Sequence, residues 1–316
     1  MRCKLSTTLA VFIIITGFAV THVQSVLAQG YIPTRINKAI ELLENDQPIY
    51  YTQVNGGGYD EGKAMAQTWA DYITYNMEHS PFNTSELRAF MQGLVDGGPT
   101  KSGHRTPTVI AVLPFGGVNE AVMMANYWMV EQVLGAGVHG VLLAHARDPD
   151  VVEILVQSAR YPHTPYAEGL SEGLRGNGGQ GFAARIWGVS NQEYQRLAEP
   201  WPLNPEGEIL IGLKIEDRHA LKNSEASTAV PGVGFAEWGP GDMRMSYDTD
   251  SGTAQVLIDA RARVLAATKA AGIPFLNTVN THNLEAMIDE GVRIGANPGA
   301  EVADQGRRYT NRRMPW

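Results

Sequence analysis

The chain has 316 residues, 44% of them hydrophobic and 18% charged, with 34 glycines, 17 prolines and a single cysteine. This is the composition of a folded globular protein and excludes a disordered or collagen-like chain. Twenty-five basic against thirty-three acidic side chains give a formal charge of −8, and no basic run offsets it, so nucleic acid is not an expected partner.

In chain order, the first segment reads as a targeting signal. Met1-Arg2-Cys3-Lys4 is a short basic lead, Leu9 to Val20 is an apolar run too short to span a bilayer comfortably, and Val26-Leu27-Ala28 has the small-x-small form of a peptidase site. A signal peptide over residues 1–28 predicts an exported protein, periplasmic or secreted, with no membrane attachment once cleaved; an uncleaved anchor is the alternative. Cleavage removes Cys3, the only cysteine, so residues 29–316 must stand on their apolar core without disulfides.

Beyond the signal, short β-branched or aromatic runs alternate with longer helix-like segments. Strands are expected at Ile49 to Val54, Tyr72 to Tyr75, Thr108 to Leu113, Gly140 to Leu143, Ile209 to Ile215, Phe235 to Trp238, Phe275 to Val279 and Val292 to Ala296. Helices are expected at Gly62 to Trp69, Ser85 to Leu94, Glu120 to Leu134, Asp148 to Ala159, Asp217 to Ser224, Thr253 to Ala271 and Leu284 to Glu290. Eight strands joined by crossover helices predict a single α/β domain, a closed (β/α)8 TIM barrel, with an open doubly wound sheet as the rival. Tyr161 to Pro205 breaks the rhythm with Gly, Pro, Asn and aromatic residues and reads as an irregular loop, a lid or an insertion. Its glycine run, Gly173 to Gly181, lacks P-loop spacing. The tail Glu301 to Trp316 is polar and basic and reads as frayed.

Two acids stand at strand ends. Strand alternation puts Lys214 and Glu216 on one side, and Asp242 lies just past the next strand, about one β/α unit on. At the C-terminal mouth of a barrel such a pair can share a hard divalent cation; two solvated loop acids are the plainer alternative. His79, after the second strand, is suited to moving protons near neutral pH or is a surface histidine. No histidine pair has helical zinc spacing, and Gly-x-Ser-x-Gly is absent.

Taken in order, several motifs resemble the HpcH/HpaI aldolase and citrate lyase superfamily, especially its metal-dependent 2-keto-3-deoxy acid aldolases. They are Asp71 to Pro81 ending in Glu78-His79-Ser80-Pro81, Arg160-Tyr161-Pro162 with Gly173-Leu174-Arg175-Gly176, Lys214-Ile215-Glu216, Pro231-Gly232-Val233, and Gly239-Pro240-Gly241-Asp242-Met243. The resemblance implies a (β/α)8 barrel of the phosphoenolpyruvate/pyruvate type. It implies Glu216 and Asp242 as ligands of Mg²⁺, Mn²⁺ or Co²⁺, His79 as the group that moves the substrate hydroxyl proton, and Glu78 as support for the metal's waters. It further implies that the turn Gly239-Pro240-Gly241-Asp242 lies beside the substrate carboxylate, with backbone N–H groups near Gly239 to Asp242 as donors, and it implies a small 2-oxo acid or other carbonyl substrate and assembly as a homo-trimer or hexamer.

The sequence departs from that pattern in three places. Asn76 replaces an acid that would partner the histidine. The third strand carries no arginine for the keto oxygen, for which Arg147 or Arg175 are candidate substitutes. Lys214 replaces a glutamine and can pair with the acids, compensate for the arginine, or act as a Schiff-base lysine if its pKa is lowered. The expected activity is metal-dependent cleavage of a carbon–carbon bond in a hydroxy-2-oxo acid; an exported barrel that binds 2-oxo acids, or catalyses another metal-assisted reaction such as hydrolysis, is the alternative.

Overall fold

Along the strand Ile209–Ile215, side chains alternate between two environments. Ile209, Ile211, Leu213 and Ile215 pack outward against helices, whereas Leu210, Gly212 and Lys214 turn inward. This alternation, with both faces buried, is the signature of a parallel strand covered by helices on one side and closed on itself on the other. The structure is a computed structural model describing residues 31–163, 170–296 and 298–316. The expected signal peptide lies outside these residues, and no helix among them is long and apolar enough to cross a membrane.

Nine parallel strands form the sheet: β1 (Ile49–Val54), β2 (Tyr72–Asn76), β3 (Thr108–Gly116), β4 (Gly140–Ala144), β5 (Pro200–Trp201), β6 (Ile209–Ile215), β7 (Phe235–Trp238), β8 (Phe275–Thr278) and β9 (Val292–Ala296). Their order is β4-β3-β2-β1-β9-β8-β7-β6-β5, and pairing of β4 with β6 closes a ring of eight. The closed barrel excludes the open-sheet rival. Strand β5 is a two-residue spur paired only with the start of β6. All eight expected strands are present within a few residues of their expected ends.

The differences lie in the connections. The Tyr161 to Pro205 segment holds two helices, Gln180–Trp187 and Asn191–Leu197, rather than one irregular loop. Its described part packs at the end of the barrel where strands begin: Trp187 Nε1 donates to the Gly137 carbonyl at 2.9 Å and the Tyr194 hydroxyl to the Leu134 carbonyl at 3.1 Å, both just before β4. That described part is therefore not a lid over the opposite, catalytic end. The helix expected over Asp217 to Ser224 is two shorter ones, Arg218–Lys222 and Ser224–Thr228, and short helices also form at Lys38–Glu44 and Pro240–Ser246.

The tail is also ordered, contrary to expectation. It forms the helix Gly299–Tyr309, and Arg307 is fully buried. The cause is Asp71, at the foot of β2, whose carboxylate meets Arg307 at 3.1 Å, Arg312 at 2.7 Å and Lys38 at 3.3 Å. Those cations outweigh the cost of burial and hold the Asp71 carboxyl well below its usual range. Basic residues that look solvated along the chain are the partners of a buried acid.

Candidate active site

The inward face of β7 carries an acid where a barrel interior is ordinarily apolar. Phe235 points inward and Ala236 outward, so Glu237 points inward, and the sheet register sets it beside Lys214 of β6. The two line a cavity of about 90 Å³ at the mouth, with Tyr51, Thr74, Asn76, Glu78 and His79 around it. Lys214 Nζ contacts Glu78 Oε2 at 2.5 Å and lies 4.0 Å from Glu216 Oε2.

Burial would lower the Lys214 pKa, but Glu237, Glu216 and Glu78 together raise it. A Schiff-base lysine needs a lowered value, and the surrounding carboxylates act against it. Burial pushes the Glu237 carboxyl up to about 7; Lys214 opposes this, while Glu216, Glu78 and Asp242 reinforce it. Burial likewise raises Glu216, again against the pull of Lys214. The carboxylates at this end outweigh their cations. Glu78, Glu216, Glu237, Asp217 and Asp242 outnumber the two permanent cations that face them, Lys214 and Arg147. That excess suits one divalent cation.

Glu216 follows β6 directly and is almost wholly buried. Its Oε1 accepts the His145 backbone N–H at 3.0 Å. Gly239 packs so closely on it that a Cβ there would come within 2.3 Å of the Glu216 Cβ, so the turn after β7 requires glycine. Pro240 and Gly241 open the helix Pro240–Ser246, whose first turn holds Asp242. One ligand atom each from Glu78, His145 and Glu216 lie within 4.8 Å of one another. Asp242 is not in that group, although it is close enough to raise the pKa of both His145 and Glu237. An oxygen and imidazole donor set with more carboxylates than cations fits a divalent metal.

The remaining expected residues fall into two classes. His79 lines the cavity with its side chain largely in water, 3.7 Å from Glu78 Oε2. Asn76 does not hold the imidazole: its Oδ1 accepts the backbone N–H groups of Glu78 and His79 at 3.0 and 3.2 Å, and its amide donates to Asn55. It shapes the loop that presents both residues. Arg147 donates to Asp217 at 2.8 Å and lines a neighbouring cavity of about 340 Å³. Arg175 is the clear displacement, since it is buried between the Tyr161 and Tyr194 rings, 4.6 and 5.3 Å from their centres, and bonds the Tyr194 hydroxyl at 2.7 Å. It braces the segment after the fourth strand's helix and does not reach the mouth.

Three residues at the mouth escape sequence reasoning. Glu237 was legible from alternation alone, two residues after inward Phe235. His145 and Asp217 were not, because their pairing joins the ends of β4 and β6: His145 Nδ1 lies 3.0 Å from Asp217 Oδ2. The Asp217 hydrogen bond raises the His145 pKa against the effect of burial.

A sequence profile of the HpcH/HpaI aldolase/citrate lyase family matches residues 63–298. The chain belongs to that family. This places it among the metal-dependent carbon–carbon lyases. A hydroxypyruvate/pyruvate aldolase from Paraburkholderia phytofirmans is 27% identical over 238 residues, which cover 73% of this chain and 78% of that protein. An HpcH/HpaI family protein from Burkholderia cenocepacia has the same fold, with a TM-score of 0.66 at 22% identity over 87% of this chain and 97% of that one. The citrate lyase beta subunit of M. tuberculosis, solved with oxaloacetate and magnesium, shares the fold at a TM-score of 0.50 and 12% identity, over 85% and 93% of the two chains.

Proposed function

We propose that this family member cleaves, and in reverse forms, the carbon–carbon bond of a small hydroxy-2-oxo acid, with pyruvate or hydroxypyruvate as the nucleophilic half. The observation that carries the reading is the negative excess around Lys214 and Glu216 at the mouth of a barrel of this family. The relatives named hydroxypyruvate/pyruvate aldolase support the substrate class, and the magnesium of the citrate lyase neighbour supports a dication. Glu216 and Asp242 would hold the ion, with Glu78 beside them. When bound, a dication polarises the keto oxygen of a 2-oxo acid.

The chain's own residues do the rest. His79, at the open edge, takes the proton of the substrate hydroxyl. The electron pair of that O–H becomes a carbonyl, the adjacent carbon–carbon bond breaks, and its pair passes into the enolate of the 2-oxo acid. Lys214, held charged by its carboxylates, supplies positive potential where the enolate oxygen develops. It thereby does part of the work of the arginine missing from β3, where Leu113 points into the outer core. Protonation of the enolate carbon completes the cycle.

Purified protein with Mn²⁺ or Mg²⁺ is expected to release pyruvate or glyoxylate from hydroxy-2-oxo acids. EDTA and Glu216→Ala are each expected to abolish the release; activity unchanged by both rejects the reading. The same reading includes export, supported by the basic lead and apolar run of residues 1–28, and a homo-oligomer, supported by the family resemblance. N-terminal sequencing of secreted material and light scattering test these two points.

A further inference from the structure

At the mouth, His145 stands in an unusual pose for a non-glycine residue. Its backbone is left-handed, with φ of 49°. Its N–H is tied to Glu216, and its Nδ1 lies 3.0 Å from Asp217. Asp217 is itself fixed by its own hydrogen bonds to Arg147 and to the backbone N–H groups of His219 and Ala220, which it accepts at 2.8 to 2.9 Å. Among the described residues Nε2 has no hydrogen-bond partner. A carboxylate behind one imidazole nitrogen, with the other nitrogen unused, is the arrangement that orients a histidine toward a metal. A ring nitrogen of His145 also comes within 4.8 Å of carboxylate oxygens of both Glu78 and Glu216, and Nδ1 itself lies 3.8 Å from Glu216 Oε1.

We infer that His145 supplies a nitrogen ligand to the divalent cation, oriented by Asp217, so that this site takes a borderline transition dication such as Mn²⁺, Co²⁺ or Zn²⁺ in preference to Mg²⁺. Carboxylate and water ligands alone suit Mg²⁺, whereas an imidazole adds affinity for transition ions and little for magnesium. The inference rests on the metal reading above and deepens it. Sequence spacing does not show it, because His145 and Glu216 are joined only by the pairing of β4 with β6.

The test is direct metal binding, read without turnover. Calorimetric titrations with Co²⁺ and with Mg²⁺ are run on the wild type, His145→Gln, Asp217→Asn and Glu216→Gln, alongside pulsed EPR of the wild type loaded with Mn²⁺. The Asp217→Asn change keeps the cap of helix Arg218–Lys222. We expect ¹⁴N coupling to the bound Mn²⁺, a loss of at least about tenfold in Co²⁺ affinity in His145→Gln with Mg²⁺ affinity within about twofold, and a Co²⁺ loss of about tenfold in Asp217→Asn. Binding that lacks ¹⁴N coupling overturns the inference and leaves the metal reading standing. A His145→Gln variant that keeps its Co²⁺ affinity does the same. Absence of binding by the wild type, or binding indifferent to Glu216→Gln, overturns both. The EPR measurement needs no variant, so a misfolded substitution cannot mask the answer.

Discussion

The two ends of the barrel each bury a knot of charge, and the knots are opposite in sign. At the end where strands begin, one acid, Asp71, is surrounded by Lys38, Arg307 and Arg312, and its carboxyl is held low. At the end where strands finish, one buried lysine is surrounded by Glu78, Glu216 and Glu237, and burial pushes the last two carboxyls up. The first knot is closed and joins the tail to the barrel. The second opens on a cavity and holds more carboxylates than permanent cations among the described residues. The first ties distant segments together; an acid-rich cluster that opens on a cavity at the catalytic end is a place for a cation.

That contrast is open to experiment. The largest effect is expected at the closed end. Asp71→Ala leaves buried cations without an acceptor and should cost about 3–5 kcal/mol in chemical denaturation, with the tail released to proteolysis; an unchanged midpoint would deny the knot its structural role. At the open end, Lys214→Gln should separate binding from turnover. Dication affinity should rise about tenfold as a competing charge leaves, while kcat falls on the order of 100-fold with the loss of potential at the enolate oxygen. Calorimetry and initial rates read the two directions, and a parallel fall in both contradicts the electrostatic account.

A smaller effect is a slope with pH. Folded Glu237 titrates at about 7, above its ordinary 4.5, so between these values the native state binds more protons than the unfolded chain. The stability of metal-free protein should therefore fall as pH rises through that window, by on the order of 3 kcal/mol. Glu237→Gln should flatten the curve there, and identical curves for the two proteins would refute the assignment. The smallest effect concerns Arg175. Its replacement by Ala should cost about 1–2 kcal/mol of stability through the lost ring contacts and leave kcat unchanged, whereas a large loss of kcat would return it to the substrate site.

Much of the architecture is written locally. Apolar β-branched runs placed all eight barrel strands, and Glu120–Leu134 and Leu284–Glu290 are helices at their expected limits, the first capped by Asn119 and ended at Gly135, the second ended at Gly291. The helix Gly299–Tyr309 was missed although its buried residues Val302, Ala303, Gly306 and Arg307 recur at helical spacing. Gly299–Tyr309 is rich in polar residues, and its order depends on an ion pair with a residue more than two hundred positions away. The same limit governs the site. Glu78, His79, Lys214, Glu216 and Asp242 sit at or just past strand ends, where position along the chain already marks the mouth. His145 was passed over because its spacing matched no local metal motif.

Composition, alternation and strand-end motifs therefore determined eight strands joined by crossover helices, their catalytic end and most of its acids, since these depend on the two-residue repeat of a strand and the direction of a parallel sheet; closure into a barrel was decided by the pairing of β4 with β6. Tertiary structure alone decided which charges are satisfied. Closing β4 onto β6 brings His145 to Asp217 and Glu216, and folding the tail under the barrel brings Arg307 to Asp71. The balance of a buried charge depends on distance in space, and separation along the chain does not encode it.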